Sequence, residues 1–472
     1  MGRVFNTTGV CIPEKHYMVN INGRLQQIKV LVDEGKYFTI NRARQYGKTT
    51  TLRALAEMLR DEYYVVLLDF QTFDNEKFSN GNVFSVAFAG SFLRVLRRNC
   101  KTMNNEMASV IDEMRKDADY ANRYFSLKEL FEGLSDICEA ADRKIVLMID
   151  EVDSAANNQV FIDFLAQLRA QYLDREFYPG FQSVILAGVY DIKNLKRKLR
   201  PEEGHRYNSP WNIAADFSIE MSFSESEIAG MLQEYESDHR TGMNISKMSE
   251  LLYAYTAGYP FLVSRICQLM DERVRDEYEN LKLVWTENGF NEAVRILLAE
   301  KNPLFESLVG KICDYPELSV MLKTLLFTGR NIAYNPDETS IDMAQMFGFI
   351  KNQNGNVVIA NRIFETRLYN YYLTEAKMQQ TEIYKAALQD KSQFIVNGYL
   401  DMERILECFV VHFQDIYGES DEKFLEEQGR KFFLLYLKPI INGTGNYYIE
   451  SRTRDLRRTD VIVDYHGRQY II

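Results

Sequence analysis

Short apolar runs of strand length alternate with segments of helical periodicity through the first half of this chain. The runs are Lys36-Tyr37-Phe38-Thr39-Ile40, Tyr63 to Phe70, Ile145-Val146-Leu147-Met148-Ile149 and Gln182 to Gly188. Between them, Leu52, Leu55 and Leu59 recur at the spacing of one helix face, and Phe161, Ile162, Phe164 and Leu165 mark another. Strand–helix alternation of this kind predicts an α/β fold, with a parallel sheet covered on both faces. The run at 145–149 has no polar residue, as expected of a central strand buried on both sides. The opening segment through His16-Tyr17-Met18-Val19 leads to a helix ending near Asp33-Glu34-Gly35, expected to lie beside the loop that follows Ile40.

From Ser222 onward the pattern turns helical. Ser224 and Glu227 stand at capping-box spacing ahead of Ile228, Met231 and Leu232. Thr256-Ala257-Gly258-Tyr259-Pro260 breaks that pattern and restarts it. Helices through Phe305, Leu308 and Ile312, through Val320 to Leu326, and through Asp342 to Phe347 precede a hairpin signal. In it, Gly348-Phe349-Ile350 and Val357-Val358-Ile359 flank a polar stretch containing Asn354-Gly355. Helices followed by a hairpin predict a winged-helix-like module. Its hairpin is not strongly basic, which favours packing over DNA contact. The last segment reads as helices and then two strands, Asp460 to Tyr465 and Arg468 to Ile472, joined by a tight turn. The expected organisation is a parallel-sheet α/β core at 1–222, a helical lid at 223–300, the winged-helix-like module at 301–375 and a partial α/β tail at 376–472.

Two strand ends carry the candidate chemistry. After Ile40 comes Asn41-Arg42-Ala43-Arg44-Gln45-Tyr46-Gly47-Lys48-Thr49-Thr50, and a helix follows. Strand, tight loop and helix give a phosphate-binding context, because loop N–H groups and the helix N-terminus point at phosphate oxygens. Arg42, Arg44, Gln45, Tyr46, Gly47, Lys48, Thr49 and Thr50 are the candidate nucleotide-binding residues. Lys48 reaches the β- and γ-phosphates and Thr49 ligates Mg2+. The consensus places a glycine where Arg42 stands, so the loop begins with a less permissive residue and an added cation. The second end is Asp150-Glu151, where ligands bind in open α/β sheets. Asp150 is the metal-side carboxylate and Glu151 the base that polarises the attacking water. Asp153 admits two readings, a helix cap or a catalytic carboxylate. Tyr190 and Asp191, past the run at 182–188, are sensor candidates.

Composition narrows the classes. At 46% hydrophobic and 26% charged residues, the chain is globular rather than disordered. No apolar run approaches the roughly 20 residues of a membrane span, and the first residues lack a signal-peptide core. Six cysteines without paired spacing argue against a zinc site or disulfide framework, and for a cytoplasmic setting. A net charge of -11 disfavours broad nucleic-acid coating. It leaves room for local contact at the basic cluster Lys193, Lys196, Arg197, Lys198 and Arg200.

The loop Asn41 to Thr49, Asp150-Glu151-Val152-Asp153 and Gly258-Tyr259-Pro260 resemble bacterial AAA-like ATPases related to the STAND and origin-recognition branches. Larger members end in a PD-(D/E)XK-type nuclease domain, which Gly429-Arg430-Lys431-Phe432-Phe433 and Arg458-Thr459-Asp460 resemble. The resemblance implies ATP and Mg2+ as cofactors, hydrolysis, and roles in defence or mobile-element biology. An arginine in place of the first P-loop glycine is familiar in this group. For the tail it implies Asp460 as a strand-end carboxylate, with Glu427 or Glu450 as a second. The nuclease's Glu-x-Lys is expected immediately after Ile472, so nuclease activity is not expected of the sequence as written. Three functions stay open: an ATPase controlling its C-terminal region, a non-hydrolysing ATP-gated scaffold for DNA or a protein effector, and an ATP-regulated nuclease. Homo-oligomerisation stays open too, with Arg42, Arg44, Arg197 and Arg206 as candidate fingers acting across an interface.

Overall fold

A computed structural model describes residues 2–99, 103–189, 211–277, 281–327, 331–418, 422–441, 445–450 and 460–472. The chain forms two compact units, residues 20–221 and residues 1–19 together with 222–472. Two short strands of the latter, β1 (Val4–Phe5) and β2 (His16–Tyr17), pair in parallel.

The unit at 20–221 is a parallel sheet between helices. Its strands are β3 (Phe38–Asn41), β4 (Tyr64–Asp69), β5 (Ile145–Asp150) and β6 (Ser183–Gly188), ordered β3-β6-β5-β4. All neighbours run parallel, and Ala215 adds a further parallel bridge outside β3. Its helices are α1 (Asn22–Asp33), α2 (Lys48–Leu59), α3 (Gly81–Asn99), α4 (Asn105–Asp117), α5 (Leu127–Ala140) and α6 (Gln159–Leu173). Successive strand residues feed opposite layers because a strand has a side-chain period of two. Ile145, Leu147 and Ile149 pack with Phe88, Leu134 and Phe164 from α3, α5 and α6. Val146 and Met148 pack with Ile28, Leu52 and Leu55 from α1 and α2. Every residue of β5 is buried, which explains its unbroken apolar run.

In the other unit, the N-terminal strands are fastened to α7 (Glu225–His239). The Tyr17 hydroxyl donates to Asp238 at 2.8 Å, and Phe5, Tyr17, Tyr235 and Trp285 form an aromatic cluster. Both capping-box bonds at Ser224 and Glu227 are made, at 2.7 and 3.2 Å. Helix α8 (Ile245–Thr256) ends where Ala257 and Gly258 turn left-handed, and Pro260 opens α9 (Pro260–Leu269). A side chain on Gly258 would put its Cβ 1.9 Å from the Phe223 carbonyl oxygen, so only glycine fits.

Helices α10 (Glu287–Ala299), α11 (Pro303–Asp314), α12 (Pro316–Phe327) and α13 (Thr339–Met346) follow. The hairpin of β7 (Ile350–Gln353) and β8 (Asn356–Ile359) turns on Asn354-Gly355, both with positive φ as a two-residue type I′ loop needs. Ala333 bridges Asn356 on its other edge. After α14 (Arg362–Leu373), the tail contains α15 (Glu382–Asp390), two short strands β9 (Ile395–Val396) and β10 (Tyr399–Leu400), α16 (Met402–Tyr417) and α17 (Glu422–Ile441). An antiparallel meander closes it: β11 (Gly445–Glu450), β12 (Asp460–Tyr465) and β13 (Arg468–Ile471). Where α17 meets α14, the Lys438 ammonium donates to Asn370 Oδ1 and lies 5.9 Å from the centre of the buried Tyr447 ring.

Candidate functional site

Strands β3 and β5 end on the same edge of the sheet, because all four strands run parallel. That edge gathers the loop at 41–48 and the carboxylates at 150–153. Gly47 sits at φ 81°, so the chain turns sharply into α2, and no side chain caps that helix. The N–H groups that open α2 point towards the loop, as at any helix N-terminus. Gln45 is also left-handed, at φ 56°. Lys48 is buried, and its ammonium donates to the carbonyl oxygens of Arg42 at 2.9 Å and Ala43 at 3.0 Å. Burial pulls its proton affinity down, while Asp153, Glu151 and Asp150 oppose that fall.

Asp150 is 4% exposed. Burial raises its pKa, opposed by the neighbouring Thr49 side chain and by a hydrogen bond from the Glu151 N–H at 2.9 Å. Burial likewise raises Glu151, with Lys48 opposing. Asp69 ends β4 directly across from Asp150, and its charge adds to that rise. Asp69 was legible only as an acidic residue at a strand end.

Other candidates are placed differently. The Arg42 guanidinium donates to the carbonyl oxygens of Asn41 and Ile219, both at 2.9 Å, and stands over the Phe217 ring. These contacts brace the start of the loop where a glycine would leave it free. Tyr46 packs against the apolar layer shared by α1 and α2, whereas Arg44 is exposed. Asp153 lies within a one-turn helix at Val152–Ser154 and does not cap it; its Oδ2 accepts from the Val189 N–H at 2.6 Å. Tyr190, Asp191, Arg197, Arg206 and the basic cluster fall outside the described residues. Glu427 lies on α17 and Asp460 opens β12, its backbone paired with Glu450. Of these three residues only the backbone is described.

The residues present fit a magnesium nucleotide. Asn41 Oδ1 and Gln45 Oε1 are buried without a protein partner, at the two ends of the loop's first half. The uncapped start of α2 and the Lys48 ammonium supply donors for phosphate. The Thr49 hydroxyl and the Asp150 carboxylate supply the hard oxygen donors that Mg2+ takes.

This sheet, with a lysine-bearing loop at one strand end and a carboxylate pair at another, defines a P-loop ATPase fold. The chain belongs to the AAA-like domain family, whose profile matches residues 10–375. The Walker-type ATPase PABY2304 of Pyrococcus abyssi has the same fold: TM-score 0.53 at 13% identity, over 77% of this chain and 99% of that one. Two further structures superpose less well. Cdc6p of Pyrobaculum aerophilum gives a TM-score of 0.35 at 14% identity, over 78% of this chain and 98% of its own. The ORC2 protein of Aeropyrum pernix in its ADP form gives 0.39 at 12%, over 79% and 98%. No curated protein matches the chain. Among the described residues, no helix is long and apolar enough to cross a membrane.

Proposed function

We propose that the chain binds ATP with Mg2+ and hydrolyses it, and that nucleotide state governs its C-terminal region. The observation that carries this reading is the convergence of Lys48, Thr49, Asp150 and Glu151 on one edge of a parallel sheet, where the carboxylates act on the buried Lys48 ammonium. When bound, the nucleotide would supply the phosphoryl group and Mg2+ would offset its negative charge. Lys48 exchanges the carbonyls of Arg42 and Ala43 for phosphate oxygens, and the N–H groups opening α2 bind beside it. Thr49 and Asp150 would hold the metal. Glu151 orients water and takes its proton at the carboxylate, a task its burial-raised basicity suits.

The remaining organisation follows the same reading. Residues 223–300 form a lid and 301–375 a winged-helix-like packing module, supported by the bridge from Ala333 to the hairpin. Lys351 is the only basic residue of β7 and β8, which favours packing over DNA contact there. The tail is nuclease-like, supported by a long helix leading into an antiparallel meander whose middle strand opens on Asp460. DNA or a protein effector is the partner, and the STAND-related branch and a cytoplasmic location fit this picture.

The test is Mg2+-dependent ATP turnover of the chain beside Glu151→Gln, with and without duplex DNA. The variant should bind ATP normally and lose about 100-fold or more in turnover. Equal turnover in the two proteins refutes Glu151 as the base. Tight binding without turnover in either protein makes the chain a nucleotide-gated scaffold.

A further inference from the structure

Asp153 is the part of the acidic cluster that the proposed reaction leaves without a role. Glu151 holds a left-handed backbone, φ 52° and ψ 42°. For a residue with a Cβ that conformation is strained, and it persists only where neighbours enforce it. The short turn after it is stitched to both strands flanking β5. On one side, the Ser154 hydroxyl stands 3.0 Å from the carbonyl of Phe70, just past β4, and 2.9 Å from that of Glu151. On the other, Asp153 Oδ2 takes the Val189 N–H, just past β6, in a bond of 2.6 Å. Gly188 accommodates this contact. A Cβ there would lie 2.8 Å from both Asp153 Oδ1 and Val152 Cγ2. Of the three carboxylates, Asp153 also acts most strongly on the Lys48 charge.

We infer that Asp153 is a positioning residue. By holding the Val189 N–H against the turn at 152–154, it fixes the backbone of Glu151 and couples the end of β6 to the water-activating carboxylate. This rests on the hydrolytic reading above. A 2.6 Å hydrogen bond to a backbone N–H, with Gly188 packed close against its acceptor, can hold a strained neighbour in place.

The experiment uses the full chain with Asp153→Asn and Asp153→Ala. ATP affinity, turnover and amide exchange of Val189 in nucleotide-free protein are each measured. An asparagine keeps an acceptor oxygen in the same place and drops the charge. Asp153→Ala should leave ATP affinity within about threefold, lower turnover tenfold or more, and speed Val189 exchange at least tenfold. Asp153→Asn should restore most of the turnover and the slow exchange. Gly188→Ala, which displaces the carboxylate from the opposite side, should resemble Asp153→Ala. Turnover as low in Asp153→Asn as in Asp153→Ala would mean that the charge acts directly and would overturn the inference. So would an unchanged Val189 exchange rate in Asp153→Ala, or turnover in that variant matching wild type. A wild type that does not turn over would refute the hydrolytic reading and this catalytic role with it, whereas loss of the role alone leaves wild-type turnover intact.

Discussion

Replacing Lys438 with methionine should stabilise the tail, by an amount that depends on pH. Burial lowers the Lys438 pKa from 10.5 to about 8. At about 1.36 kcal/mol per pH unit, that difference is worth about 3.4 kcal/mol. Below pH 8 the lysine is charged in both folded and unfolded chains, and the folded state bears the full cost of enclosing it. As pH rises from 8 towards 10.5, the folded state gives up its proton first. The unfolded chain then binds more protons, and stability climbs. Between pH 7 and pH 9.5 that climb amounts to about 2 kcal/mol. Methionine keeps the apolar stem and removes the charge, and it leaves Asn370 Oδ1 without its donor at a cost of about 1 kcal/mol. Lys438→Met should therefore gain about 2 kcal/mol at pH 7 and almost nothing at pH 9.5. Amide exchange of residues 431–441, corrected for intrinsic rates, reads the difference at both pH values. A variant less stable than wild type at pH 7, or one whose pH slope equals that of wild type, would refute the reasoning.

Two further outcomes follow from single contacts. Lys48→Ala removes an ammonium able to make two charge-assisted bonds to phosphate, so ATP affinity by titration calorimetry should fall about 100-fold or more; an unchanged affinity would remove Lys48 from the site. Gly258→Ala forces a Cβ to 1.9 Å from the Phe223 oxygen at a φ of +73°, and should cost about 3 kcal/mol or more in urea unfolding. A loss under about 1 kcal/mol would mean that the turn relaxes freely.

Local chemistry was legible in the sequence wherever it depends on neighbours a few residues apart. The unbroken apolar run of β5, the capping box at Ser224 and Glu227, and the Asn354-Gly355 hairpin all depend on such spacing. Non-local contacts were not. Arg42 reads as a cation near phosphate, yet its guanidinium is held by the Ile219 carbonyl and the Phe217 ring, far along the chain. Asp153 reads as a cap or a catalytic carboxylate, and its bond to Val189 depends on β6 lying beside β5. Tyr46 looks like loop chemistry, but an apolar layer lies beneath it. The grouping of residues 1–19 with 222–472 was equally hidden, since it rests on aromatic and hydroxyl contacts to α7 and Trp285.

That grouping makes the nucleotide-binding unit an insertion within the chain of its neighbour. Two covalent crossings join the units, Val19–Asn20 and Met221–Ser222. The unit's own beginning and end meet where Arg24 Nε donates to the Glu220 carbonyl at 2.7 Å. A protease that nicks one crossing therefore leaves the two units joined through the other. Trimming the first nineteen residues strips the helical unit rather than the ATPase core. The inserted unit has the topology of a cassette, with adjacent ends that a short peptide could close.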